Sequence, residues 1–175
     1  MDNLIKGLRK KAFSGEDILT VCDNETKIIT YPELYKFQNI DDVLSPHGCV
    51  VILYEMKPNY GHWVCVIKHE DQNKIEFFDP YGLFCDDQLE FIDTKFRKAS
   101  NQMFPKLCEM LHDSPYDIVY NKTQLQKYSS DVSSCGRHVS FRIVMRDTPL
   151  NEYVKILKQN KYDPDMTVTY LTAFM

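Results

Sequence analysis

Apolar positions along the chain fall into strand-like runs and helix-like spacings whose order limits the architecture. Cys49-Val50-Val51-Ile52-Leu53-Tyr54 is a continuous apolar, largely β-branched run, the pattern of a strand buried on both faces. Pro58-Asn59-Tyr60-Gly61 marks a turn, and His62 to Lys68 reads as a second strand. Asp71-Gln72-Asn73 is another turn before a third strand, Lys74-Ile75-Glu76-Phe77-Phe78, which stops at Asp79-Pro80-Tyr81-Gly82. Three strands joined by short turns predict an antiparallel meander.

The flanks read as helices and short turns. Residues 1–12 have the mixed charge of a short helix, and Ser14 followed by Asp17 marks a helix start. Ile28 to Tyr31 is a short strand, and Tyr31–Tyr35 and Ile40–Leu44 are helical turns, the second capped by Asp. After the meander, Asp86 to Ala99 spaces Leu89, Ile92 and Phe96 along one helix face, and Phe104 to His112 is a second helix. Tyr116 to Tyr120 is a fourth strand, followed by a polar stretch to Ser134. Ser133 or Ser134 caps a helix that opens at Cys135 and turns Val139, Ile143 and Val144 to a core. A helix over Leu150–Gln159, with Thr148 as cap and Pro149 at its first position, and a last one from Asp163-Pro164 complete the chain. The order predicts an α+β fold in one domain, residues 1–175, with helices on a mostly antiparallel sheet.

Composition narrows the class. The chain has 175 residues, 43% of them hydrophobic, enough for a proper core. No apolar run is long enough to span a membrane, and the N-terminus shows no signal-peptide pattern, so a non-secreted protein is expected. A net charge of −4 argues against strong non-specific nucleic-acid binding, and Arg9-Lys10-Lys11 reads as a solvated helix face. The six cysteines are scattered, without CxxC or His/Cys clustering. Free thiols in a reducing compartment are therefore expected, rather than a disulfide frame or a metal site, and most serve as packing residues.

Three segments could carry chemistry. Cys135 falls in the first turn of its helix, where the unpaired N–H groups and the helix dipole favour a thiolate. Gly136 leaves the sulfur approachable. His62 opens the second strand beside Gly61, and Asp79 leaves the third where Pro80 ends the ladder. If these strands are hairpin partners, Asp79 meets His62 and fixes its tautomer, giving the general arrangement of nucleophile, base and orienting group. Each feature alone is an ordinary turn, strand end or helix start, and Trp63 alone reads as core.

Together, Gly61-His62-Trp63, Phe78-Asp79-Pro80-Tyr81-Gly82, a Gln and Ser134-Cys135-Gly136 resemble, in that order, the adenain-like and SUMO-protease-like cysteine peptidases. Ser14-Gly15-Glu16-Asp17-Ile18, Leu53-Tyr54, Leu125-Gln126 and Cys135-Gly136-Arg137-His138 are further similar to maturation proteases of virophages, large DNA viruses and Polinton-type elements. The likeness runs from about Ser14 to the end, leaving residues 1–13 as an N-terminal helical extension.

The resemblance implies a papain-like core in circularly permuted order, with Cys135 as nucleophile, His62 as base and Asp79 orienting it. It implies an oxyanion donor among the glutamines: Gln126, nine residues before Cys135, is favoured over Gln124. Trp63 and Gly136 would border a narrow channel for small residues such as glycine, with packing beneath the sheet the other reading of Trp63. His138 would be a helix-surface residue. The implied function is an endopeptidase that cuts viral capsid or other structural precursors, without metal or cofactor, located in the virion or the host-cell cytoplasm. Its partners would be the polypeptide substrate and, as in some relatives, a peptide activator. DNA is not favoured as a cofactor, and no membrane is involved. A monomer is expected. The competing functions are a deconjugase that removes a ubiquitin-like modifier and a binding module that kept the fold without activity.

Overall fold

In the computed structural model, which describes residues 2–175, five strands form one mixed sheet in the order β1-β2-β3-β4-β5. The strands are β1 (Lys27–Thr30), β2 (Cys49–Lys57), β3 (Tyr60–His69), β4 (Lys74–Phe78) and β5 (Asp117–Tyr120). The expected meander is there: β2 pairs β3 and β3 pairs β4, both antiparallel. The two edge strands join in parallel, β1 to β2 and β4 to β5. Each parallel pair is linked by a helical crossover, which a parallel connection requires. The α+β architecture read from the pattern is what the chain forms.

Among the described residues, eight α-helices flank the sheet: α1 (Asp2–Arg9), α2 (Gly15–Val21), α3 (Ile40–Val43), α4 (Thr94–Ala99), α5 (Lys106–His112), α6 (Cys135–Val144), α7 (Leu150–Lys158) and α8 (Pro164–Thr172). The helix predicted at the N-terminus is present from Asp2, with Met1 outside the described residues. Ser14 caps α2 in a full capping box with Asp17, as expected. Two other helix starts differ from the expected ones. Asn39, not an aspartate, caps α3 through Asp42 N–H at 3.1 Å. Pro149, not Thr148, takes the cap position of α7, without a side-chain bond, and the Thr148 carbonyl accepts from Arg142 at 3.1 Å.

The single helix expected over Asp86–Ala99 is instead a 3₁₀ turn at Asp87–Phe91 and then α4, capped by Asp93. Asp86 is the reason. Its backbone sits at φ 69°, and its buried carboxylate accepts the hydroxyls of Tyr31 and Tyr54 at 2.8 and 3.0 Å and the Cys108 N–H at 2.7 Å. That network also brings Cys108 to Cys85, and the two form a disulfide. The expectation that all six thiols are free is thus corrected: four are, Cys22, Cys49, Cys65 and Cys135, all buried.

Two apolar clusters lie on opposite faces of the sheet. Ile52, Tyr54, Val64, Phe77 and Leu107 belong to one; Leu53, Trp63, Cys65, Phe78, Val139 and Tyr153 belong to the other. The alternation along β2 and β3 sends neighbouring residues to different layers. Helix α6 packs on β3 within the second layer.

The expectation that α6 turns only an apolar face inward is also corrected, since every residue from Cys135 to Ile143 is buried. Its fully buried Arg142 reaches β4, giving Glu76 two hydrogen bonds of 2.7 and 2.9 Å, while His69 bonds the same carboxylate at 3.0 Å. Burial pushes Glu76 upward, yet the bonds from Arg142 and His69 outweigh it and hold the carboxyl below its ordinary 4.5. A carboxyl lowered in this way stabilises the fold above its unfolded value and loses that contribution as pH falls through the folded one. Glu76→Ala, which strands a buried guanidinium, is expected to cost about 3–5 kcal/mol in urea unfolding at pH 7. The deficit against wild type should shrink below pH 4.5; a loss under about 1 kcal/mol would show that the pair does not anchor α6.

Candidate functional site

Strand register brings the site together. His62 pairs with Tyr54 at the open end of β3, just beyond an irregularity in the β2–β3 ladder at Glu55/Lys57. Gly61 is required there, because a Cβ would fall on the Tyr54 carbonyl. Phe78 ends β4 opposite Cys65, and the next residue, Asp79, reaches back along β3. Its Oδ1 lies 2.8 Å from His62 Nε2 and also accepts the Tyr81 N–H at 2.7 Å. The Asp79 carbonyl is held by Gly82 N–H at 2.9 Å and Asn121 Nδ2 at 2.8 Å. Gly82 closes this turn at φ 76°, in backbone contact with Thr123, where an added side chain would be strained.

Cys135 is the first residue of α6, and its side chain is near enough to His62 to act on the charge of the ring. With Nε2 committed to Asp79, Nδ1 is the ring nitrogen left for the sulfur. Cys135, His62 and Asp79 are 8%, 4% and 0% exposed, so their charges act with little water between them. Burial drives the His62 pKa down, but the Asp79 charge and hydrogen bond, together with Cys135, outweigh it and lift it from 6.5 to about 10. The ring is thereby biased towards its protonated form at neutral pH.

Gln126 and Gln124 are distinguished clearly. Gln126 is 2% exposed, its N–H is fixed to the Pro80 carbonyl at 2.9 Å, and its Nε2 donates to the Tyr81 hydroxyl at 3.3 Å. Gln124 is exposed and its amide bonds the Gln126 carbonyl at 3.0 Å. Tyr81, which the motif contained but the sequence did not single out, stacks on His62 with ring centroids 4.4 Å apart, and Tyr128 stacks on Tyr81 at 4.2 Å. An aromatic side chain two residues past Asp79 was the available signal.

Trp63 packs against Gly136, the residue that follows Cys135. Trp63 is 8% exposed and its indole N–H donates to the Phe13 carbonyl at 3.1 Å. The room left by Gly136 is taken by Phe13 and Trp63, 2.6 and 3.3 Å from where a Cβ would stand. The close approach at Gly136 is therefore made by the chain itself. The segment before α2 is integral here, since Phe13 also stacks under Arg137, 4.0 Å from its ring centre. Arg9, in the basic cluster, is ion-paired with Asp163 at 4.0 Å, and Lys10 with Asp131 at 3.5 Å.

Two expectations near Cys135 are overturned. Ser134 occupies the cap position but gives no side-chain cap, because its hydroxyl goes to the Asp165 carboxylate at 2.5 Å. His138 is not on the helix surface: it is fully buried, with Nε2 3.0 Å from the same carboxylate. The bond to a buried carboxylate turns the Ser134 hydroxyl away from the N–H groups of the first turn. Of the other cysteines, Cys65 is fully buried in β3 with its pKa raised by burial, and Cys85 is in the disulfide. A groove of about 1020 Å³, lined by His47, Lys68, Lys122 and Arg146 among others, contains none of His62, Asp79, Gln126 or Cys135.

The fold and this constellation define an α+β domain with a buried Cys–His–Asp chain of contacts at the end of a sheet. The chain is 40% identical over 172 residues to uncharacterized protein V9 of Sputnik virophage, covering 96% of this chain and 98% of that one, and belongs to the same family. No protein-family model matches it. Among solved structures, it is similar to the ASFV protease (14% identity, 93% of this chain and 67% of that one, TM-score 0.48). It is also similar to the SUMO protease Ulp1 (12%, 93% and 76%, TM-score 0.45).

The raised His62 pKa has a thermodynamic signature. A folded-state value above 6.5 gives stability that is complete below 6.5 and is lost as pH rises through about 10. In denaturant unfolding between pH 6.5 and 10, wild type should therefore lose more stability than His62→Gln. Parallel pH profiles in the two proteins would contradict the His62–Asp79 coupling.

Proposed function

We propose that this protein is a cysteine endopeptidase in which Cys135 is the nucleophile, His62 the general base and acid, Asp79 its orienting group and Gln126 an oxyanion donor. The contact chain Cys135–His62–Asp79, buried at one sheet end, carries the reading. Cys135 Sγ attacks the scissile carbonyl carbon, its proton being held on His62. The negative oxygen that develops is met by the Cys135 backbone N–H and the Gln126 amide. That amide has two hydrogens, and Tyr81 uses only one. The His62 proton passes to the leaving amine, and a water activated by His62 then hydrolyses the thioester.

The substrate is a polypeptide, and we take it to be a structural precursor of a viral particle cut at small, glycine-containing sites. Kinship with a virophage protein and the motif resemblance support this. The same considerations favour the virion or the host-cell cytoplasm as the place of action. Among the described residues no helix is long and apolar enough to cross a membrane.

The test is a complex peptide library incubated with wild type and Cys135→Ala, with cuts read by mass spectrometry. Cuts confined to wild type and clustered after small residues are expected, unchanged by a chelator. No cuts, from a protein that instead releases a folded ubiquitin-like modifier, would replace endopeptidase by deconjugase; activity in Cys135→Ala would overturn both. On a cleaved peptide, Gln126→Ala should lower kcat by about 10²–10³. Cys135→Ala and His62→Ala should abolish turnover, and Asp79→Asn should weaken it far less than either. Equal loss in all three folded variants would mean that Asp79 does more than orient the base.

A further inference from the structure

We propose that Asp165 is a positioning residue that holds the two halves of the oxyanion site at their working separation; this rests on the peptidase reading above. Asp165 lies in the first turn of α8, is fully buried, and belongs to none of the motifs that define the site. Its carboxylate accepts three hydrogen bonds. One comes from Lys127 N–H at 3.0 Å, one from Ser134 Oγ at 2.5 Å and one from His138 Nε2 at 3.0 Å.

The positions of these donors make the case. Lys127 directly follows Gln126, and Ser134 directly precedes Cys135. His138 lies three residues into the helix that Cys135 opens, on a neighbouring turn. The two oxyanion donors are thus each one residue from a group gripped by the same carboxylate. Between Lys127 and Cys135 the chain makes a polar, mostly exposed excursion through residues 128–134. Backbone pairing within that excursion is local, as in Val132 N–H to the Ser129 carbonyl, or runs outward, as in Ser133 N–H to the Arg9 carbonyl. Asp165 closes the excursion from outside. On its other side Gln126 is pinned through its own N–H to Pro80.

A buried carboxylate is costly unless its donors are in place, and a fold needing only bulk here would have an apolar residue. Three donors converging from the loop and the helix define a distance, which an apolar contact does not. Oxyanion stabilisation is sensitive to that distance, and a misplacement of about 1 Å can cost about 10²-fold in rate. The base is set separately, through Asp79, and alkylation of the thiol by a small reagent depends on that base and not on the spacing of the two oxyanion donors.

That separation supplies the test. Full-length wild type, Asp165→Asn and Ser134→Ala are compared on a cleaved peptide for kcat and KM. In parallel, Cys135 alkylation by iodoacetamide at neutral pH and the thermal midpoint are measured. Asparagine keeps the shape but turns an amide N–H₂ towards one set of donors. Asp165→Asn should lower kcat about 10–100-fold with KM and the alkylation rate within about twofold of wild type. Ser134→Ala, which removes one of the three donors, should lower kcat about 3–10-fold in the same pattern. Unchanged kcat in folded Asp165→Asn would overturn the proposal, as would kcat and alkylation falling together. If Asp165→Asn does not fold, an unchanged kcat in Ser134→Ala overturns it. A wild type that cleaves nothing removes the peptidase reading and this proposal with it, whereas an active wild type with an indifferent Asp165 removes this proposal alone.

Discussion

Everything in this molecule follows from burying a polar helix. Helix α6 carries Arg137, His138, Ser140 and Arg142 into the interior, at 3%, 0%, 0% and 0% exposure, and none of these can be left there without a partner. Arg142 takes Glu76 on β4, Arg137 takes Thr172 on α8 at 2.9 Å, His138 takes Asp165, and Ser140 turns back on the Gly136 carbonyl at 2.7 Å. The rotation and depth of α6 are therefore set by directed bonds as well as by packing. An apolar helix could slide or rotate at modest cost; this one cannot. Cys135, at its first position, inherits that rigidity.

The opposite wall is set by strand chemistry. Gly61 permits the ladder irregularity that precedes His62, and Pro80 ends β4 so that Asp79 turns back towards it. Tyr81 then covers the far side of the imidazole, and Tyr128 covers Tyr81. Burial of the ring works against its charge and Asp79 works for it, and the balance lifts the His62 pKa. Preorganisation of this kind places the cost of ordering the site on the fold and not on the bound substrate.

The sequence made much of this legible, and the reason is the range of the signals. β4 was readable residue by residue because an apolar run between a turn and Asp-Pro has no competing interpretation. The pairing of His62 with Asp79 followed because both lie on one meander, where register converts spacing into distance. Edge-strand direction was not readable, since it depends on crossovers whose course is set by packing. The helix over Asp86–Ala99 broke because Asp86 answers Tyr31, Tyr54 and Cys108, all distant in sequence. Ser134 and His138 were misread for the same reason: their partner, Asp165, lies about thirty residues away and gives no local sign. Polar groups that find long-range partners are where periodicity stops being informative.

The central claim is that one thiol of the chain is held apart from the rest by an imidazolium. Burial raises the pKa of Cys22 to about 12, of Cys49 to about 11 and of Cys65 well above its ordinary value, whereas Cys135 faces His62. A time course of iodoacetamide alkylation of the native protein at pH 6, with each cysteine quantified by peptide mass spectrometry, tests this most directly. The account predicts that Cys135 is modified at least about 100-fold faster than Cys22, Cys49 or Cys65, and that His62→Ala abolishes the difference. Labelling of Cys135 as slow as that of the three packing thiols, in a protein that remains folded, would contradict it.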